Sequence, residues 1–206
     1  MNIHIVSDLI CPWCFIGTRR LEQALESLPE GQTATVTYLP FLLDPSIPKE
    51  GVDLRERLAK KYGADPEQMF DRVEGAARSS GIDLDFSKIR RTVSTLPGHT
   101  LLRHAIAKGT QRGLAKALFA AYFLEGRDIS DTAVLTQLGA AAGFAEGEVA
   151  TLVGDEQELA LTRAEAQGLS AQGISGVPFF IFNGRIAVSG AQTPEILGEA
   201  LSQAGA

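Results

Sequence analysis

Strand-forming sequence stands at the two ends of this 206-residue chain, and nearly everything between reads as helix. At the N-terminal end the apolar run Ile3-His4-Ile5-Val6 and the β-branched run over 33–38 flank a helical pattern. In that pattern Phe15, Leu21, Leu25 and Leu28 alternate with Arg19, Arg20, Glu22 and Glu26, and Pro29 and Gly31 stop it. Strand, helix and strand in so short a space predict a βαβ unit, parallel and right-handed. At the other end, Pro178-Phe179-Phe180-Ile181-Phe182 and Arg185-Ile186-Ala187-Val188 are joined by Asn183-Gly184. That pair suits a two-residue hairpin turn, because both positions need φ > 0. Thr193-Pro194-Glu195 then opens a last helix. Two sequence-distant β segments around one helical block predict an α/β core with an all-helical insertion. Residues 1–50 and 169–206 would build the core, and 51–168 the insertion with its connecting helix.

Within the block, Leu54, Leu58 and Tyr62 repeat at helical spacing and stop at Gly63. Asp65-Pro66-Glu67-Gln68 is a helix start, with Asp as cap and Pro at the first position. Further helices are predicted over 98–108, 110–125, 131–142, 146–153 and 155–171. The stretch 40–48 carries Pro40, Pro45 and Pro48 and is read as a loop.

Both cysteines fall in one motif, Cys11-Pro12-Trp13-Cys14, placed where the first strand ends and the first helix begins. A helix start offers unpaired backbone N–H groups and the positive end of the dipole. Such an environment lowers a thiol pKa from about 8.5 into the ~3.5–7.5 range. Cys14, one turn on, can close a disulfide on Cys11, so the pair reads as a dithiol that cycles. Position predicts Cys11 exposed and reactive, with Cys14 shielded toward the sheet. A structural disulfide closing so short a loop would constrain the unfolded chain very little. A metal or cluster site is the other rival, since thiolates favour zinc and iron–sulfur. His4, His99 and His104 do not stand at short ligand spacings from the cysteines or from one another, so no metal is expected. His104 lies on a helical run and is read as a packed or surface side chain. Asp8, three residues before Cys11, either accepts a proton from the dithiol or caps the helix, and capping is the favoured reading.

The formal charge of −6 and the absence of a basic cluster exclude nucleic acid as the expected partner. The apolar runs are far shorter than a bilayer span, so no membrane partner is expected. The N-terminus lacks a secretory pattern, which predicts a cytoplasmic protein. In a reducing compartment a C-x-x-C pair is more often catalytic or metal-binding than a staple. No flavin or nicotinamide motif is present, so no cofactor is expected and electrons would come from another thiol system.

The order of elements, with C-x-x-C after the first strand and Val177-Pro178 before the third, resembles a thioredoxin fold. The helical insertion narrows the resemblance to the DsbA family of thiol–disulfide oxidoreductases, and within it to the FrnE-like branch. The matching segments are 7–17 around Cys11-Pro12-Trp13-Cys14, 38–45, Gly173-Ile174-Ser175-Gly176-Val177-Pro178-Phe179-Phe180, and Val188-Ser189-Gly190-Ala191-Gln192. They stand at both ends of the chain, so the resemblance covers essentially all of it. It implies that Cys11 attacks, that Cys14 resolves, and that Pro178 is a cis-proline facing the dithiol. It further implies that the backbone of Val177 pairs with a bound thiol or disulfide substrate, whether protein, peptide or glutathione. Pro12 and Trp13 would tune the redox poise. Strongly oxidising relatives have His at the position of Trp13, so a more reducing potential is expected here. His99 stands where relatives commonly have Asn, and no polar role carries over to it.

Two rival functions share this architecture. Kappa-class glutathione transferases and hydroxychromene-carboxylate isomerases usually have Ser where Cys11 stands, and the second cysteine argues against them. A redox-inert scaffold or chaperone would use the groove between the two parts without the chemistry.

Overall fold

The computed structural model describes residues 1–29, 31–63 and 65–205. Strand β1 (Asn2–Ser7) leads into helix α1 (Pro12–Glu26), which returns to β2 (Thr35–Pro40). β1 and β2 are parallel, with Ile5 opposite Tyr38, which completes the predicted βαβ unit. β5 (Phe179–Phe182) and β6 (Ile186–Ser189) form the hairpin, and α9 (Pro194–Gly205) closes the chain. Asn183 and Gly184 both take positive φ, 49° and 66°, as a tight hairpin turn with right-handed twist demands. β5 pairs antiparallel with β1, so the four-stranded sheet runs β2-β1-β5-β6. The two ends of the chain therefore share one sheet, held by the apolar faces of Ile3, Ile5, Phe180 and Phe182, all fully buried.

Between them lie α2 (Leu54–Tyr62), α3 (Glu67–Arg78), α4 (Leu96–Ala107), α5 (Gln111–Phe123), α6 (Thr132–Ala141), α7 (Glu148–Gly154) and α8 (Glu156–Ala171). These follow the predicted helices closely. Unforeseen were the short ladder of β3 (Val52–Asp53) with β4 (Arg91–Thr92) and a 3₁₀ turn over Phe86–Lys88. Two-residue strands carry no periodic signal of their own, and the ladder forms only because the loops on either side are brought together.

The helical segment is fused to the sheet in two ways. Phe15 of α1 stacks on Phe119 and Phe123 of α5, with ring centroids 5.5 and 5.6 Å away, within one continuous apolar core. Polar fusion comes from Gln111, buried at the start of α5. Its amide accepts from the Tyr38 N–H at 2.9 Å and donates to the Tyr38 carbonyl at 2.8 Å. β2 is an edge strand, and this amide imitates a further strand, satisfying backbone groups that would otherwise template unwanted pairing.

Candidate active site

β1 ends at Ser7, and the turn over Asp8–Ile10 delivers Cys11 to the N-cap of α1. The Cys11 N–H donates to the Asp8 carbonyl at 3.1 Å. Cys11 is itself the N-cap residue, extended at φ −88° and ψ 112°, and no side chain caps the helix. Pro12 occupies the first turn, where a missing N–H costs nothing. The N–H groups of Cys14 and Phe15 donate to the Cys11 carbonyl, and Cys11 stands at the positive end of the dipole of a four-turn helix.

Cys11 was expected at the surface, and the structure corrects this. The residue is only 4% exposed, because the 41–47 loop and helices α2 and α3 close over the helix start. Its sulfur opens instead onto a cavity of about 330 Å³ between α1, that loop, α2, α3 and α5. Cys14 is fully buried behind it. Burial pushes the Cys14 thiol well above the ordinary range, and Cys11 alongside pushes it the same way. A backbone hydrogen bond from Asp8 pulls in the opposite direction without prevailing. The two sulfurs therefore differ in access, and burial holds the Cys14 thiol protonated.

An expected result follows for alkylation. Iodoacetamide at neutral pH should modify Cys11 of the reduced protein while Cys14 stays unmodified until denaturant is added. A thiol raised by burial holds little thiolate at pH 7, and the thiolate is the species that reacts. Peptide mapping by mass spectrometry checks it, and faster labelling of Cys14 would reverse the assigned roles.

The Cys11 sulfur lies 3.8 Å from the Val177 carbonyl, to which its S–H can donate. The Val177–Pro178 peptide bond is cis, as the resemblance implied. Two features seat Pro178 there. Its carbonyl accepts from the Gly190 N–H at 2.8 Å, and Gly17 of α1 leaves room for its ring. A Cβ on Gly17 would lie 2.9 Å from Pro178 Cγ and 3.2 Å from the Phe180 ring. Arg20 reinforces the same loop, donating to the Ala191 carbonyl at 2.7 Å and to Ser80 Oγ at 2.9 Å. The segment Ser189-Gly190-Ala191-Gln192, noticed in sequence only as part of a pattern, is thus the brace behind Pro178.

Asp8 does not cap α1. Its side chain faces away from the helix and accepts from the Leu43 N–H at 2.7 Å, anchoring the loop that walls the cavity. Its other oxygen is 3.6 Å from Nε2 of His99, and both residues are almost fully buried. Neither of those two atoms has a hydrogen-bond partner among the described residues. His99 was given no role in sequence, and only the packing of α4 against the β1 end reveals it. His104 bonds Glu158 of α8 at 2.8 Å, in keeping with a packed side chain. Tyr122 and Phe123 are core residues that also line the cavity.

Trp13 is partly buried against the core, with the Arg72 guanidinium of α3 5.9 Å from its ring. The residue between the cysteines carries no charge of its own, but the insertion supplies one nearby. Pro12 and Trp13 both line the cavity mouth with Cys11.

The DSBA-like thioredoxin domain family matches residues 2–202. Over its whole length the chain is 31% identical to a probable DsbA oxidoreductase from Streptomyces coelicolor, covering 90% of that chain with a TM-score of 0.88. A 2-hydroxychromene-2-carboxylate isomerase shares the fold at 14% identity and a TM-score of 0.75, over 98% of this chain and 95% of that one. The cytosolic disulfide reductase DsbM from Pseudomonas aeruginosa, solved with GSH, aligns over 100% of this chain and 96% of its own at 18% identity and a TM-score of 0.66. With the sheet order, the dithiol at the start of α1 and a match from the second residue to near the end, the chain belongs to the DSBA-like thioredoxin domain family.

Proposed function

We propose that the protein exchanges disulfides through Cys11 as the attacking thiol and Cys14 as the resolving one, within the FrnE-like branch of its family. The observation that carries this reading is the arrangement of the two sulfurs. One stands at a helix start and opens on a cavity, and the other is sealed one turn behind it. The Cys11 thiolate attacks a substrate disulfide to give a mixed disulfide, and Cys14 then displaces the reduced product. The Val177 carbonyl stands 3.8 Å from the sulfur that would carry the substrate, just before the cis bond to Pro178, which supports a substrate-binding role for the two residues. Pro12 and Trp13 are the residues placed to tune the pair.

No helix among the described residues is long and apolar enough to cross a membrane. A cytoplasmic setting, with electrons drawn from a cellular thiol such as glutathione, is part of the proposal. The glutathione-dependent isomerase reading draws on likeness of fold alone. It leaves the second cysteine without a task.

The test is equilibration in glutathione redox buffers, followed through the fluorescence of Trp13, the only tryptophan. A reversible Cys11–Cys14 disulfide should form and break, with Cys11→Ala showing no transition. A protein that holds both thiols reduced across the range is no oxidoreductase of this kind. The same titration gives the potential, expected to be more reducing than that of DsbA because no imidazolium stands between the cysteines.

A further inference from the structure

The cavity beside Cys11 is more selective than an open thiol-exchange surface needs to be. Its walls are mostly apolar, with Ile10, Leu54, Leu58, Phe70 and Phe123 among them. Leu43, Tyr62 and Met69, three large hydrophobic side chains that remain exposed at 40%, 55% and 37%, gather at its mouth. Such surface is unfavourable in water and is commonly kept for a ligand. At about 330 Å³ the space is at the small end of ligand sites. Two turns of helix with side chains would occupy roughly 1,000 Å³.

An extended peptide would find little main chain to pair with beyond Val177, because such recognition draws on a run of main-chain groups at a free strand edge. β5, which follows Val177 and Pro178, is interior to the sheet. Along the loop wall the N–H groups of Phe41 and Leu43 are already committed to Ser7 and Asp8.

The charge at the mouth has one sign left over. Asp44 and Arg57 are paired with each other. Lys61 also lines the cavity, its ammonium 5.5 Å from the Tyr62 ring, and it makes no ion pair among the described residues. Lys61 also borders a second, outer hollow, where Asp53 and Glu56 stand with Lys60 and where the Asp53 side chain is committed to the N-terminus of α2.

We propose that the substrate exchanged at Cys11 is a low-molecular-mass disulfide with an apolar body and a terminal carboxylate, the body seated in this cavity and the carboxylate at Lys61. The inference rests on the disulfide-exchange reading above. The reduced protein and the disulfide RSSR give the Cys11–Cys14 disulfide and two RSH. Cys11 sulfur bonds one RS group and expels the other, and Cys14 sulfur then bonds Cys11 and expels the first. Two electrons pass to the substrate, and the two thiol protons end on the two products.

The experiment mixes the reduced protein with symmetrical ω-carboxyalkyl disulfides of increasing chain length and with their ω-hydroxyalkyl counterparts. Trp13 fluorescence reports the rate, and each rate is divided by that of mercaptoethanol to remove intrinsic reactivity. The rate constant should rise by about two- to four-fold per added methylene until the cavity is filled. Carboxylates should exceed alcohols by about three-fold, the scale of a solvent-exposed ion pair. Lys61→Gln should bring that ratio toward one and Lys61→Glu should invert it, circular dichroism confirming that both variants are folded. Rates independent of chain length and end group, while consumption still requires Cys11, would overturn the proposal and leave disulfide exchange standing. So would reduction of insulin disulfides far faster than the best of the series, in favour of a protein substrate. Absence of any Cys11-dependent reaction would remove the exchange reading itself.

Discussion

Replacing Cys14 by alanine should leave a protein that takes up a substrate disulfide and holds it. Cys11, its opening to the cavity and the dipole of α1 all remain, so the attacking step survives. What is lost is the internal thiol that resolves the mixed disulfide. A well-oriented intramolecular group reaches effective molarities of about 10⁵ M and more, so against millimolar external thiol resolution should slow by at least about a thousand-fold. Mass spectrometry under non-reducing conditions should show one substrate half bound per chain. Cys11→Ala should show none, since the remaining thiol is fully buried and held protonated by that burial. Equal trapping by the two single variants would mean that the sulfurs are interchangeable, contrary to their difference in access.

The second large effect is on stability. Phe119 is fully buried and stacks on both Phe15 and Phe123, at 5.5 and 6.3 Å between centroids. Phe119→Ala removes a side chain at the seam between α1 and the helical segment, and should cost about 3–5 kcal/mol of unfolding free energy. The core is continuous across that seam, so urea unfolding followed by Trp13 fluorescence and by helical circular dichroism should still give one coincident transition. Two separated transitions would show that the helical segment folds independently of the sheet. A change below about 1 kcal/mol would show that the neighbouring rings close the cavity.

Much of this architecture was legible in the sequence because the signals are local. The helix periods of the central block, the Asn183-Gly184 turn and the placement of the dithiol between a strand and a helix each depend on residues a few positions apart. A helix start places the positive end of the dipole at whatever residue stands there, so the chemistry of Cys11 could be argued before any fold was known. The joining of the two chain ends was also readable, since the β-forming segments stand at either end of one helical block and each alone is too small to make a sheet with a buried face.

The tertiary structure decided who stands beside whom. Cys11 is nearly buried because a loop and two helices from the insertion fold over it, and no pattern around residue 11 encodes that. Asp8 serves Leu43 rather than the helix it precedes, because the turn between them rotates its side chain toward the loop. Gln111, Gly17 and His99 read in isolation as a surface amide, a helix glycine and a stray histidine. Each takes its role from a contact between segments tens of residues apart: the β2 edge, the Pro178 ring and the Asp8 carboxylate. Hydrophobic periodicity tells each element which face to bury. Which polar atoms meet inside depends on how the buried faces come together, and that is a property of the packed chain.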